Sequence, residues 1–186
     1  MKKLLVLGLL LFLCVPALCG QELLLGILPA KEGKITYAGE EKVPGAGVEN
    51  LHKKARGWFD ATNKVSSDSI VSDTPDEIRG TGKYKIRAKG VGVVGYDMDV
   101  LYTIILNIRE GAYNYTFTDF IGQTKGKFGL IEDPMENWNS ELKEEEKRAK
   151  KNAKVYPQVN KGMKEITESL KRAMAARIEN LGWMSK

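Results

Sequence analysis

Cysteine is nearly missing from this chain. Only Cys14 and Cys19 occur in 186 residues, and both lie in or beside the N-terminal apolar run. A chain cut there keeps no cysteine, so it forms no internal disulfide and must be held by a packed core. Histidine is confined to His52. One imidazole with no cysteine or carboxylate pattern around it does not make a metal site. It also has no evident Ser or Cys partner for nucleophilic catalysis. It reads as a surface residue of a helix, flanked by Lys53 and Lys54 on the side away from Trp58. Excess charge is small as well. The net +5 falls to +3 once Lys2 and Lys3 are removed with the leader, too mild to argue for nucleic acid. No apolar run is long enough to span a bilayer, since Leu4 to Leu13 falls well short of the ~20 residues needed.

What is present begins with a leader. Met1-Lys2-Lys3 is basic, Leu4 to Leu13 is almost unbroken hydrocarbon, Pro16 breaks the run, and small residues follow. That order is a secretory signal peptide. Cleavage after Cys19 places Ala17 at the third position before the cut; cleavage after Gly20 places Leu18 there. Lipidation of Cys14 or Cys19 is the alternative, but Leu13 and Leu18 stand where that signal wants a small residue. The expected location is therefore the periplasm or cell envelope, by simple secretion. Export removes most cofactor-dependent chemistry, and neither a cofactor nor a metal is expected. About 165 residues remain, enough for one ordinary domain.

Periodicity sketches that domain. Ile35 to Val43 reads as a first strand, and Pro44-Gly45-Ala46-Gly47 as a turn. Val48, Leu51, Ala55, Trp58, Phe59 and Thr62 recur in steps of three and four, which predicts an amphipathic helix over 48–62. A short strand around Ser69 to Val71 and a Thr74-Pro75-Asp76 turn follow. Glu77 to Ala88 then alternates strictly: Ile78, Gly80, Gly82, Tyr84, Ile86 and Ala88 face one way, Arg79, Thr81, Lys83, Lys85 and Arg87 the other. Tyr96 to Arg109 repeats the pattern, Glu110-Gly111 signals a tight turn, and Ala112 to Phe120 is the last expected strand. Gly122 to Gly129 reads as loop. The stretch 138–155 is helix-capable but charged nearly all round, so it is read as solvent-exposed. Pro157 opens a final helix of about 25 residues, ~37 Å long, with Met163, Ile166, Leu170, Ala173, Met174, Ile178 and Leu181 as its apolar stripe. The chain thus divides into a signal peptide (1–20), a lead-in (21–33), an α+β sheet domain (34–121), a loop and charged helical segment (122–156), and a C-terminal helix on the sheet (157–186). A single antiparallel sheet of about five strands, with helices on one face, buries these stripes economically.

Three segments resemble a known family. ITYAGEEKVPGAGVENLHKKARGWF (Ile35 to Phe59) is similar to the opening of a bacterial envelope family described as domain of unknown function 4468 with a TATA-binding-protein-like fold. YNYTFTDF (Tyr113 to Phe120) resembles its last-strand motif, and EDPMENW (Glu132 to Trp138) its post-sheet motif, with Met135 where leucine is usual. The resemblance spans roughly Gly26 to Leu181. It implies a β-α-β4-α topology and no activity, because the family has no assigned catalytic residues.

Candidate chemistry is thin. Gly90 to Gly95 spells G-x-G-x-x-G, but a strand follows it rather than a helix, and no acidic residue stands where a ribose contact belongs. A hairpin loop is the plainer reading, with Val91, Val93 and Val94 left to touch a partner or membrane. Asp97 and Asp99 share a strand face and answer Lys85 and Arg87 across a hairpin, which explains them by register. Arg79, Lys83, Lys85, Arg87 and Lys89 form a basic stripe. A polyanion-contact face on that stripe competes with a simple solvated sheet surface. Export separates the stripe from the chromosome, leaving another envelope protein or an anionic glycan as partner classes. Three functions remain, in order: a non-enzymatic envelope interaction module; a carrier holding an apolar ligand between sheet and C-terminal helix; and a hydrolase using carboxylates such as Asp119 or Glu132.

Overall fold

The computed structural model describes residues 22–24, 27–62, 69–89, 95–139 and 154–176. The signal peptide, the loop 90–94, nearly all of the charged 138–155 stretch, and Ile178 and Leu181 lie outside the described residues.

The architecture is α+β. A six-stranded antiparallel sheet carries helices α1 (Val48–Thr62) and α2 (Tyr156–Ala175) on one face. A small three-stranded sheet precedes it, made of β1 (Glu22–Leu24), β2 (Leu28–Lys31) and β3 (Lys34–Ile35). The large sheet comprises β4 (Tyr37–Lys42), β5 (Ile70–Asp73), β6 (Glu77–Lys89), β7 (Gly95–Arg109), β8 (Ala112–Gly126) and β9 (Gly129–Pro134). Its order is β4-β8-β7-β6-β5, and β9 also pairs with β8. β4 covers the first half of β8's outer edge and β9 the second half.

The period-two pattern decides the faces. Ile78, Gly80, Gly82 and Ile86 of β6 point to the helices and are buried, while Arg79, Thr81, Lys83, Lys85 and Arg87 point to solvent. On β7, Met98, Val100, Tyr102, Ile104, Leu106 and Ile108 are buried against the same layer. Leu51, Ala55, Trp58 and Phe59 of α1 and Val159, Met163, Leu170 and Met174 of α2 complete the core. Burial on this scale supplies the stabilisation that disulfides would otherwise contribute.

α2 is held by polar ties as well as by its stripe. Tyr37 Oη donates to Asn160 Oδ1 at 3.2 Å, and Tyr84 Oη donates to the Val159 carbonyl at 3.2 Å. Trp58 Nε1 donates to Ser169 Oγ at 3.2 Å. Lys171 reaches Glu41 of β4 at 2.8 Å. The helix also approaches β6 closely at Gly162, where a β-carbon would stand 2.6 Å from the Tyr84 ring. Likewise, the Tyr102 ring lies over bare backbone at Gly82, 2.4 Å from where a β-carbon would be.

Several expectations are corrected. The large sheet has six strands rather than five. The segment read as loop from Gly122 to Gly129 is strand and hairpin, because β8 does not stop at Phe120. Asp119 adopts φ 52° and the register with β7 shifts between Leu101 and Thr103. This bulge inserts one residue, so Phe117 and Phe120 both reach the core and pairing resumes with Leu101 opposite Ile121. The single expected strand 35–43 is split between β3 and β4. The final helix is described as 20 residues, with Ala176 already extended.

Candidate interaction site

The basic stripe lies where alternation predicts, on the open face of β6. Register sets Lys85 opposite Asp99 and Arg87 opposite Asp97, as the sequence pattern implies. Lys83 Nζ reaches Asp99 at 3.2 Å, and Arg79 lies 3.8 Å from Glu77. Lys89 ends the strand opposite Gly95. Arg79 and Lys83 therefore lie within ion-pair reach of a carboxylate, and Lys85 and Arg87 stand opposite one in register. Such exposed pairs contribute ~0–1 kcal/mol each.

Lys85 and Arg87 also border a second feature. β5 pairs with β6 only at Ile78, Arg79 and Gly80. From Thr81 onward, the outer edge of β6 has no strand partner among the described residues. Beside this edge runs an open groove of about 550 Å³ between β6 and α2. Tyr84, Ile86 and Ile166 give it an apolar floor; Lys85 and Arg87 border it at the strand edge, with their side chains turned to the open face, and Lys161 and Glu165 line it from α2. Lys161 lies 3.9 Å from that glutamate, a loose exposed pair. The floor is rigid. The Tyr84 ring packs against Tyr102 with centroids 5.8 Å apart, and burial pushes its hydroxyl pKa well above the ordinary tyrosine value. Gly162 lets the groove reach this ring, since any side chain there would fill the approach.

The catalytic candidates do not converge. His52 is not the partnerless residue that the sequence suggests: its Nε2 lies 2.7 Å from Asp73 Oδ1, and Arg56 contacts the other oxygen of the same carboxylate. The arrangement ties α1 to β5. Lys54, which flanks His52 in the sequence, is buried and donates to the Met174 carbonyl at 3.0 Å. Desolvation lowers its pKa, and its charge lies at the C-terminal turn of α2, where a helix favours cations. Asp119 pairs with Lys34 at 3.0 Å, and Glu132 accepts from Gln123 at 2.6 Å, both at the surface. Among the described residues no three His, Cys, Asp or Glu side chains group as metal ligands would. Under α2, Tyr156, Val159, Met163, Leu170 and Met174 are buried in the core, and the described space between sheet and helix opens only in the groove beside Tyr84 and Ile166.

Sequence reasoning missed the groove. A usable signal was Gly162, a glycine inside a strongly periodic helix, which costs ~1 kcal/mol relative to alanine unless something must come close.

An antiparallel sheet with two helices on one face, in β-α-β4-α order extended by β9, defines a TBP-like fold. Residues 31–122 match the family described as "Domain of unknown function (DUF4468) with TBP-like fold", and through that segment the chain belongs to this family. A crystal structure of a DUF4468 family protein from Bacteroides ovatus superposes with a TM-score of 0.63 at 20% identity, covering 83% of this chain and 94% of that one. A TBP-like protein from Parabacteroides distasonis gives 0.56 at 10% identity, covering 78% and 97%. At these identities the likeness concerns the fold. No curated protein matches the chain.

Proposed function

We propose that this protein is an exported, non-enzymatic interaction module of the cell envelope that binds an extended acidic segment of a partner protein. The N-terminal leader pattern supports export, and no helix among the described residues is long and apolar enough to cross a membrane. The observation that carries the binding reading is the groove beside the length of β6 that has no strand partner among the described residues. A free strand edge offers backbone N–H and C=O groups to an added strand, and a helix wall supplies side-chain pockets. An added strand would present alternate residues to Lys161 on the groove side and to Lys85 and Arg87 on the open face, so acidic residues suit it on both sides. The basic stripe is then part of the recognition surface, at its Lys85–Arg87 end.

A photo-crosslinking residue at position 161, in cells of the source organism, tests this reading. The expected adduct maps to an extended, acidic stretch of one envelope protein. The same label at Thr103, on the open face of the sheet, gives no such adduct, and Arg87→Glu weakens the reaction at position 161. Equal labelling from both positions refutes the groove. Turnover of any substrate by the pure protein, abolished by a point substitution, refutes the non-enzymatic reading.

A further inference from the structure

The end of the β8–β9 hairpin carries an unusual concentration of exposed hydrocarbon. Phe128 is 96% exposed, Leu130 66% and Ile131 57%. They account for three of the four large apolar side chains exposed among the described residues, the other being Val71. All three fall within four consecutive positions at and just after the Lys127-Phe128 turn, where Gly126 pairs with Gly129. Two cations accompany them. Lys125 stands opposite Leu130, and Lys127 Nζ lies 5.6 Å from the Phe128 ring centroid. The nearest acids along β9, Glu132 and Asp133, are set back toward the body of the sheet, and Asp97 borders the same notch as Lys125.

We propose that this hairpin tip docks on an anionic phospholipid bilayer. An apolar tip with an aromatic ring and adjacent lysines matches the boundary between acyl chains and headgroups, where hydrocarbon enters and ammonium groups meet lipid phosphate. The tip is also too small for the rival occupant. Three such side chains offer on the order of 400 Å² of surface, against ~800 Å² per partner in a stable protein interface. A protruding turn inserts into a lipid surface without needing a complementary wall. This docking stands apart from the groove, which lies between β6 and α2.

The test uses the chain from Gln21 onward, since no described element begins before Glu22. Sedimentation with vesicles of phosphatidylcholine, with and without one third phosphatidylglycerol, measures binding. The expected result is binding to the anionic vesicles that weakens as salt rises. Phe128→Ala weakens it by at least about tenfold. Lys127→Ala weakens it about fivefold, and Lys125→Ala by less because Asp97 is near. Circular dichroism confirms that each variant is folded, as expected for exposed positions. Phe128→Trp adds a second readout, a blue shift of its emission on vesicle addition. No binding to anionic vesicles, or binding that Phe128→Ala leaves unchanged, overturns the proposal. So does a dimer in free solution that Phe128→Ala converts to monomer, because the tip would then be a self-association surface.

Discussion

Replacing Gly162 by alanine sets two effects of known size against each other. In an exposed helix interior the change stabilises by ~1 kcal/mol, because alanine restricts the unfolded chain and favours the helix. Here the new β-carbon would stand 2.6 Å from Tyr84 Cε2 and 3.2 Å from two further ring atoms. That is roughly 0.8 Å inside ordinary contact, on the steep part of the repulsive wall. The ring has little freedom to yield, since its hydroxyl is bonded to the Val159 carbonyl and its face packs on Tyr102. Overpacking of this kind costs ~1–3 kcal/mol. The net expectation is destabilisation by ~1 kcal/mol, a fall of about 2–4 °C in Tm for a chain of this length. Urea melts of four proteins decide it: wild type, Gly162→Ala, Tyr84→Leu and the double variant. With the ring gone, Gly162→Ala should stabilise by about 0.5–1 kcal/mol, so the sign of its effect reverses between backgrounds. If Gly162→Ala alone raises stability, the close approach of α2 to β6 is wrong, and the floor of the groove with it.

Three further outcomes follow from the core and the bulge. Lys54→Met should destabilise by about 1–2 kcal/mol in a thermal melt, because it removes a charge-assisted bond and leaves the Met174 carbonyl without that donor; a neutral result would mean that the carbonyl finds water. Burial pushes the hydroxyls of Tyr37, Tyr84, Tyr102 and Tyr113 above the ordinary value, and that of Tyr156 up to about 12. The folded state therefore holds protons that the unfolded chain releases near pH ~10, so stability is intact below that pH and falls as pH rises through ~10–12. Tyrosinate absorbance should then appear together with loss of circular dichroism, and full ionisation of a still-folded protein would contradict it. At the bulge, Asp119→Val should cost ~1–2 kcal/mol because φ 52° is strained for a branched residue, whereas Asp119→Gly should be near neutral, losing only an exposed pair with Lys34. Equal effects of the two substitutions would show that the register shift does not depend on that backbone conformation.

The sequence by itself determined the elements whose reasons are local. Strict alternation over Glu77 to Ala88 and Tyr96 to Arg109 decided which side chains face the helices. A hairpin loop at Gly90 to Gly95 and period two were enough to set Lys85 and Arg87 against the two aspartates. The three-and-four spacing of Leu51, Ala55, Trp58 and Phe59 marked the buried side of α1, and its bounds, Val48–Thr62, are those observed. The tertiary structure decided what depends on elements distant in the chain. Lys54 is buried only because the last turn of α2 offers it a carbonyl, and His52 has a partner only because β5 brings Asp73 to α1. β8 runs past Phe120 because Asp119 takes a left-handed backbone conformation that keeps both phenylalanines in the core, a choice made by packing and invisible to alternation. The groove has the same origin. Among the described residues β5 pairs with β6 only as far as Gly80, α2 crosses at a glycine, and neither Tyr84 nor Gly162 signals the other across the 75 to 80 residues that separate them.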